Sequence, residues 1–445
     1  VKRDYDSLVD VKRGLISREI FVNGQIFDDE LEHLFSRAWL FVGHTSLIPN
    51  ADDFFVSRMG TESVILCRDR QHKVHVFLNT CRHRGMKVCR YDQGNTPVFT
   101  CSYHAWSYAT DGKLVGVPLF EQIYAGTMSK DDAPLIEVAQ MVDYKGTIWA
   151  TWDPDAAPFE AYMGGALSYL DLVLDSRDGR EGGSEVLDGV QKWVIPSNWK
   201  FSAENFSGDR YHNVSHKSAD DTGIGPSARS GLKGRRDQFS RGSQNVLVTF
   251  PSGHGTHSIL QPEDNAYVET YNDNPEVEAY YRKCFDERKR RLGEKSRLIG
   301  FNGTFFPNAS YLANQPRMIC VWHPVGPTTT EVWRFYLVDR DAPEAVKAFL
   351  RHYYMRYSGP AGMTEQDDME NWDHATAASR GPIARRYPYI YQQSLGASKI
   401  DDPLPGLATT AVSEQNPRGF YHRWVDYVSG RDWATLTGQN DKLRV

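Results

Sequence analysis

At 445 residues, with 40% apolar, 24% charged and 12% aromatic side chains, the chain has the composition of an ordinary globular protein with room for two or three domains and a substantial core. The 51 basic and 57 acidic residues leave a net charge of −6, which argues against nucleic acid as a general partner, and no run of about 18 apolar residues is present to span a membrane. Six cysteines are too few for a disulfide framework, and the opening VKRDYDSLVD lacks the apolar core of a signal peptide, so a reducing cytoplasm is the expected compartment.

Residues 1–37 carry apolar and charged positions in a helical rhythm (IFDDELEHLFSRAW). From Trp39 the pattern shortens to β-like runs (LFVGHTSL, FFVSRMG, SVILCRD, HKVHVFLNT), punctuated by Gly, Asp and Asn and ending with GTIWATWDP. These predict a small antiparallel β domain over 38–157. In 158–445, a helical patch (FEAYMGGALSYLDLVL) and strand-like QKWVIP precede a predicted helix carrying NFSGDRYHNVSH. Residues 218–300 are less regular, with a basic Gly-rich stretch (ARSGLKGRRDQFSRG) and a charged helix around EVEAYYRKCFDERKRRL. Strands return at SYLANQ, RMICVWHPV and EVWRFYLVD, and helices at AVKAFLRHYYMRYS and EQDDMENWDHATAAS. The simplest partition is an all-β domain (38–157) inserted into an α+β domain built from 1–37 and 158–445.

Two stretches carry metal chemistry. In the β domain, Cys81-Arg82-His83 is followed after 17 residues by Cys101-Ser102-Tyr103-His104. Two Cys and two His are one zinc set, but zinc fingers usually group their cysteines and their histidines separately and follow them with a helix. A Rieske [2Fe–2S] centre needs this mixed arrangement, with two thiolates on one iron and two imidazoles on the other. The remaining Cys67, Cys89, Cys284 and Cys320 read as buried thiols. Further on, Asn205, Asp209, His212 and His216 are spaced by 4, 3 and 4 residues, which on a helix puts them on one face. Two His at i, i+4 can reach one metal ion, although a solvated polar face has the same pattern.

CRHRG…CSYHAW resembles the Rieske motif of bacterial aromatic-ring-hydroxylating dioxygenase large subunits, and ENFSGDRYH, HPVGP and EQDDMENW look like that family's catalytic domain. The similarity covers nearly the whole chain. It implies an all-β Rieske domain within an α+β catalytic domain whose antiparallel sheet is flanked by helices. It also implies that Cys81, His83, Cys101 and His104 hold the [2Fe–2S] cluster, with Trp106 beside it. Ala105 stands where most members have Gly, a departure expected to cost little. A mononuclear Fe(II) would be held by His212, His216 and Asp368, the 2-His-1-carboxylate set of oxygenases, with Asp367 as a local alternative, whereas by itself the Asp367–Asp368 pair at a helix start would read as an N-terminal cap. The gap of three residues between the histidines is shorter than the four or five of many members. Asp209 matches the residue that joins the iron ligand to a Rieske His of a neighbouring subunit, here His212 to His104, whereas by itself it would read as a helix cap. Asn205 reads equally as a group behind the iron ligands or as a satisfied core amide.

The resemblance further implies electrons drawn from NADH through a reductase and a ferredoxin, O₂ as co-substrate, a small β subunit and an α₃β₃ assembly. The product would be a cis-dihydrodiol carrying both oxygen atoms. Phe206, Asn302 and Leu312 match cavity-lining positions. Ser358 and Thr364 fall where naphthalene-type members carry large aromatics, so a wider or more polar pocket is expected, suited to bicyclic or polycyclic hydrocarbons. The alternatives are a phthalate- or salicylate-like acid paired with a cation of the Arg229–Arg241 stretch, a Rieske monooxygenase or demethylase, and a non-catalytic zinc protein.

Overall fold

The computed structural model describes residues 3–222, 244–269, 271, 274–314, 316–396, 405–410 and 412–438. The basic Arg229–Arg241 stretch lies outside them. The chain forms two compact units, Phe35–Ala156 and Val1–Leu34 with Ala157–Val445. The insert thus begins at Phe35 rather than residue 38 and ends at Ala156 rather than 157.

The smaller unit is all antiparallel. Its short strands form three sheets, and the largest joins Asp53–Met59, Glu62–Arg68, Val74–Leu78 and Gln93–Asn95. Phe54, Phe77, Phe99 and Tyr108 fill an apolar cluster that also takes in Cys81, Cys101 and Trp106. The two Cys/His loops therefore rest on a rigid floor.

The larger unit is built on eight antiparallel strands: β1 (Ser184–Ile195), β2 (Gln244–Thr249), β3 (Gly255–Leu260), β4 (Leu298–Phe305), β5 (Ala309–Leu312), β6 (Met318–Gly326), β7 (Thr329–Asp339) and β8 (Leu407–Thr410). Their spatial order is β1-β7-β6-β5-β4-β3-β2-β8. β6 and β7 are buried along most of their length, which explains runs such as RMICVWHPV that are apolar on both faces. β2, β3 and the start of β4 fall in the 218–300 stretch where the sequence has no clear period. Buried polar residues mask their alternation, and those residues find partners across the sheet: His257 Nδ1 lies 3.2 Å from Asn302 Oδ1 and His257 Nε2 lies 3.1 Å from Asn245 Oδ1.

Three helices matter for the site. α1 (Trp199–Phe206) starts where the Asn198 side chain caps the Lys200 amide at 3.0 Å. α2 (Met363–Ser379) carries EQDDMENW, and α3 (Gln415–Val428) packs on β2 and β3. The sequence reading did not pick out α3, although its apolar Phe420, Tyr421, Trp424, Val425 and Val428 and its polar Arg418, His422 and Asp426 recur at helical spacing; in the fold most of the polar face, Arg418, Arg423 and Asp426 included, is buried as well. At the base of α1, Glu30 from the N-terminal segment accepts from Trp199 Nε1 (2.9 Å), Lys200 Nζ (2.5 Å) and Trp424 Nε1 (2.8 Å). Helix α1 is thereby pinned to both the N-terminal segment and α3.

Candidate active site

Helix α1 ends at Phe206, and Gly208 then adopts φ +135°, a conformation side-chain-bearing residues rarely take. A Cβ at Gly208 would also lie 2.9 Å from both Asn416 Nδ2 and Leu247 Cδ2. After this turn the chain resumes as a 3₁₀ segment, Tyr211–His216. The expected single helix across Asn205–His216 is therefore corrected to helix, turn and tighter helix. In a 3₁₀ turn, residues i and i+4 diverge by about 120°, against about 40° in an α-helix. Accordingly the His212 and His216 rings are nearly perpendicular (77°) and converge at their tips, Nε2 to Nε2, at 3.0 Å.

From α2, Asp368 brings Oδ1 to 3.2 Å from His216 Nε2 and 3.5 Å from His212 Nε2. A first-row divalent ion ligated at about 2.1 Å, with neighbouring ligands about 90–110° apart, requires donor separations of about 3.0–3.5 Å. The three separations match, and the donor set of two imidazoles and one carboxylate leaves the rest of the coordination sphere open, as non-haem Fe(II) oxygenase sites do. His216 and Asp368 are buried and His212 is half-buried.

Each imidazole has a carboxylate at its other nitrogen. Asp209 Oδ2 lies 3.6 Å from His212 Nδ1, and Asp367 Oδ2 lies 3.4 Å from His216 Nδ1. Asp209 also serves as a cap: its Oδ1 accepts from the Tyr211 (2.9 Å) and His212 (3.3 Å) amides. Oδ1 thus fills the cap reading of that residue, while Oδ2 faces His212. Burial alone would raise the Asp209 carboxyl, but the hydrogen bonds from His212 and from these amides hold it below the ordinary carboxylate range. Asn205 Nδ2 sits 3.3 Å from Asp209 Oδ2 and 3.2 Å from His212 Nδ1, behind the triad.

The five expected pocket residues fall into separate groups. Phe206, Asn302 and Leu312 adjoin: Asn302 Nδ2 donates to Phe206 O at 2.9 Å, and Asn302 and Leu312 are cross-strand partners. Because that amide is committed to Phe206, Asn302 Oδ1 must accept from His257 Nδ1–H, so its polar atoms are engaged by the fold. The Phe206 ring packs edge-on against Trp322 and under the buried Arg334, whose guanidinium pairs with Glu365. Thr364 is buried one helical turn before Asp368, and its hydroxyl has no hydrogen-bond partner among the described residues. Ser358 is buried at the end of the preceding helix, with its hydroxyl 2.9 Å from Tyr336 OH.

In the smaller unit the two Cys/His loops are near copies of one another. Cys81 O accepts from Gly85 N at 3.0 Å and Cys101 O from Ala105 N at 2.9 Å. The Cys81 amide donates to Met86 O and the Cys101 amide to Trp106 O, both at 2.8 Å. Both loops close through a left-handed residue, Gly85 (φ +72°) and Ala105 (φ +56°). Alanine in this conformation costs about 1 kcal/mol, so its presence in place of glycine is not as cheap as the sequence comparison suggested. Cys81 and Cys101 are buried and unbridged, the His83 and His104 rings are 4.5 Å apart, and Trp106 stacks on His83. His83 Nδ1 is buried with no hydrogen-bond partner among the described residues, the state of a nitrogen shaped to ligate. Two thiols and two imidazoles on matching loops fit a Rieske cluster. Tyr108, which carried no signal in the sequence, places its hydroxyl 3.4 Å from Cys81 Sγ while accepting from the Arg82 amide at 3.0 Å.

Glu204, the residue before Asn205, was likewise not singled out. It accepts from Tyr391 OH at 2.6 Å and lies beside Tyr421, with its Oε2 out of contact with solvent. Burial pushes its carboxyl up to about 8, with Tyr391 and Tyr421 opposing and Asp209 and Glu414 adding. The unfolded chain ionises this group near its ordinary 4.5, so stability falls as pH rises from about 4.5 to about 8. Glu204→Gln is expected to remove that slope and to raise stability at pH 7 by up to about 3 kcal/mol, checked by thermal unfolding across pH 5–8.

The two units together present an iron–sulfur electron entry and a 2-His-1-carboxylate site, the parts of a Rieske oxygenase large subunit. Residues 38–129 match the family model for the Rieske [2Fe-2S] domain, and residues 176–430 match that for the ring hydroxylating alpha subunit (catalytic domain). The chain is 38% identical to the biphenyl 2,3-dioxygenase subunit alpha of Rhodococcus jostii, covering 97% of this chain and 93% of that one. It is 37% identical to the biphenyl dioxygenase subunit alpha of Paraburkholderia xenovorans, covering 96% and 94%. A solved naphthalene 1,2-dioxygenase with indole in its active site superposes with a TM-score of 0.87 at 30% identity, covering 99% of this chain and 98% of that one. The chain belongs to the alpha-subunit family of aromatic-ring-hydroxylating dioxygenases, oxidoreductases that use a Rieske cluster and a mononuclear iron. Its relatives' names describe alpha subunits, that is, components of multi-subunit enzymes. No helix among the described residues is long and apolar enough to cross a membrane.

Proposed function

We propose that this chain is the cytoplasmic terminal oxygenase subunit that adds both atoms of O₂ to adjacent carbons of a bicyclic or polycyclic aromatic hydrocarbon, releasing a cis-dihydrodiol. The observation carrying this reading is the convergence of His212 Nε2, His216 Nε2 and Asp368 Oδ1 with 3.0–3.5 Å between them. In the proposal these three atoms hold Fe(II), while Cys81, Cys101, His83 and His104 hold the [2Fe–2S] cluster with Trp106 against it. The bound metals supply electron transfer and O₂ activation. The chain's own residues keep the imidazoles in the correct tautomer, shield the ring from water and orient it.

Phe206, with Leu312 near it, offers apolar surface for a ring. Asn302 contributes shape rather than polarity, because its amide is already engaged. Ser358 and Thr364 are smaller than aromatic side chains and favour a roomy pocket. The names of the biphenyl and naphthalene relatives point to the same substrate class. An aromatic acid would call on a cation of the Arg229–Arg241 stretch, which lies outside the described residues; the buried Arg334 packed on Phe206 is already paired with Glu365. Ferredoxin and reductase would deliver electrons from NADH. A small β subunit and an α₃β₃ assembly would bring the His104 of one subunit to the Asp209 of its neighbour.

The test is product analysis with the reconstituted electron-transfer chain under ¹⁸O₂, offering naphthalene, biphenyl, phenanthrene and phthalate. A doubly labelled cis-diol from a hydrocarbon is expected. A singly labelled product would replace the dioxygenase reading with a monooxygenase, and turnover of phthalate alone would overturn the hydrocarbon pocket.

A further inference from the structure

His216 is gripped at both nitrogens by consecutive residues of α2. Its Nε2 faces the shared centre, 3.0 Å from His212 Nε2 and 3.2 Å from Asp368 Oδ1. An imidazole that gives Nε2 to a metal carries its hydrogen on Nδ1, and the acceptor there is Asp367 Oδ2 at 3.4 Å. The sequence offered Asp367 only as a rival ligand to Asp368, or as a helix cap. The geometry excludes the cap, because helix α2 begins at Met363, too far upstream for Asp367 to serve its first turn. The contact with Nδ1, at the opposite edge of the ring from the shared centre, argues against the rival ligand as well.

We infer that Asp367 is a positioning residue for the iron site: it fixes the tautomer and ring orientation of His216, as the counterpart of Asp209 at His212. This inference rests on the proposed iron-binding role of His212, His216 and Asp368. Two features give it weight. His216 is 2% exposed, so water does not readily replace a lost acceptor, and the Asp367 side chain is only 20% exposed. In addition, three carboxylates and two neutral imidazoles around a dication leave one net negative charge, which favours the oxidised metal. Asp367 supplies part of that charge without occupying a coordination position.

The experiment compares the full enzyme with Asp367→Ala and Asp367→Asn by Fe(II) titration of the mononuclear site after mild chelation. Rieske absorbance serves as the fold control, and the electron paramagnetic resonance signal of the nitric oxide complex reports the iron environment. Alanine is expected to weaken Fe(II) binding about 10- to 100-fold and to change the nitrosyl signal. Asparagine still accepts from Nδ1–H but lacks the charge, so a smaller loss of roughly threefold is expected, together with a raised iron potential. Wild-type Fe(II) affinity in either variant would overturn the inference. If alanine loses the Rieske absorbance, asparagine decides by the same criterion. Failure of the unsubstituted enzyme to take up Fe(II) at this site would instead overturn the ligand assignment beneath it.

Discussion

Replacement of Asp209 by alanine is expected to leave the Rieske centre intact while product formation per bound mononuclear iron falls about 100-fold. The reason lies in how the carboxylate is divided. Oδ1 caps the Tyr211–His216 segment through two amides, and Oδ2 faces His212 Nδ1, with Asn205 beside both. Cap and charge are separable by substitution. Asparagine keeps an acceptor for the amides and loses the negative charge, whereas alanine loses both. If Asp209 connects His212 to a neighbouring subunit's cluster, asparagine will be nearly as slow as alanine in single-turnover oxidation of the reduced cluster. If Asp209 only caps, asparagine will turn over almost normally. Near-wild-type rates in the alanine variant would remove the connecting role altogether. Iron and acid-labile sulfide content, measured on the same samples, separate slow electron transfer from loss of metal.

The second large effect concerns stability. Lys200→Met leaves Glu30 buried between two indole donors without its counter-ion, at an expected cost of about 3–5 kcal/mol. The pair is fully buried, at 0% and 1% side-chain exposure, so solvent does not soften the loss. Burial alone lowers the Lys200 ammonium, and Glu30 opposes that shift, so the two charges depend on one another. Replacing both together with apolar residues, Glu30→Leu with Lys200→Met, removes the uncompensated charge and is expected to recover most of the loss. Thermal inactivation midpoints of the single and double variants check this, and equal destabilisation by both would mean that packing, not charge, anchors α1. Iron retention is expected to fall in the single variant. Lys200 sits on the helix whose other end carries Asn205 and leads into the His212–His216 turn.

Much of the site was legible because metal chemistry restricts residue type and local spacing. Cys-x-His and Cys-x-x-His can be read without a fold, since each pair lies within one turn and its donors need no distant help. The His212–His216 pair was legible for the same reason, although the helix assumed for it was wrong: Gly208 breaks the helix, and the pair converges through a 3₁₀ segment. Strands such as EVWRFYLVD were legible from β-branched and aromatic density, whereas GTHSIL and LIGFNGTF were not. Their polar members are paired across the sheet, the buried His257 with the half-buried Asn302 among them, and a pairing between distant strands leaves no mark on local periodicity.

By itself, therefore, the sequence pointed to the two Cys/His loops and the His212–His216 pair, to the α+β class with its inserted all-β unit, and to the family to which the chain belongs. Those depend on residue identity and short-range order. The tertiary structure alone decided which carboxylate of the Asp367–Asp368 pair faces the shared centre and which backs His216. It also decided that Asn302 spends its amide on Phe206 and His257, that Ala105 bears a left-handed backbone, and that Glu204 is buried as an acid. Each of these depends on what a distant segment places against the residue. Burial, hydrogen-bond partners and local charge belong to the packed chain, not to any stretch of it.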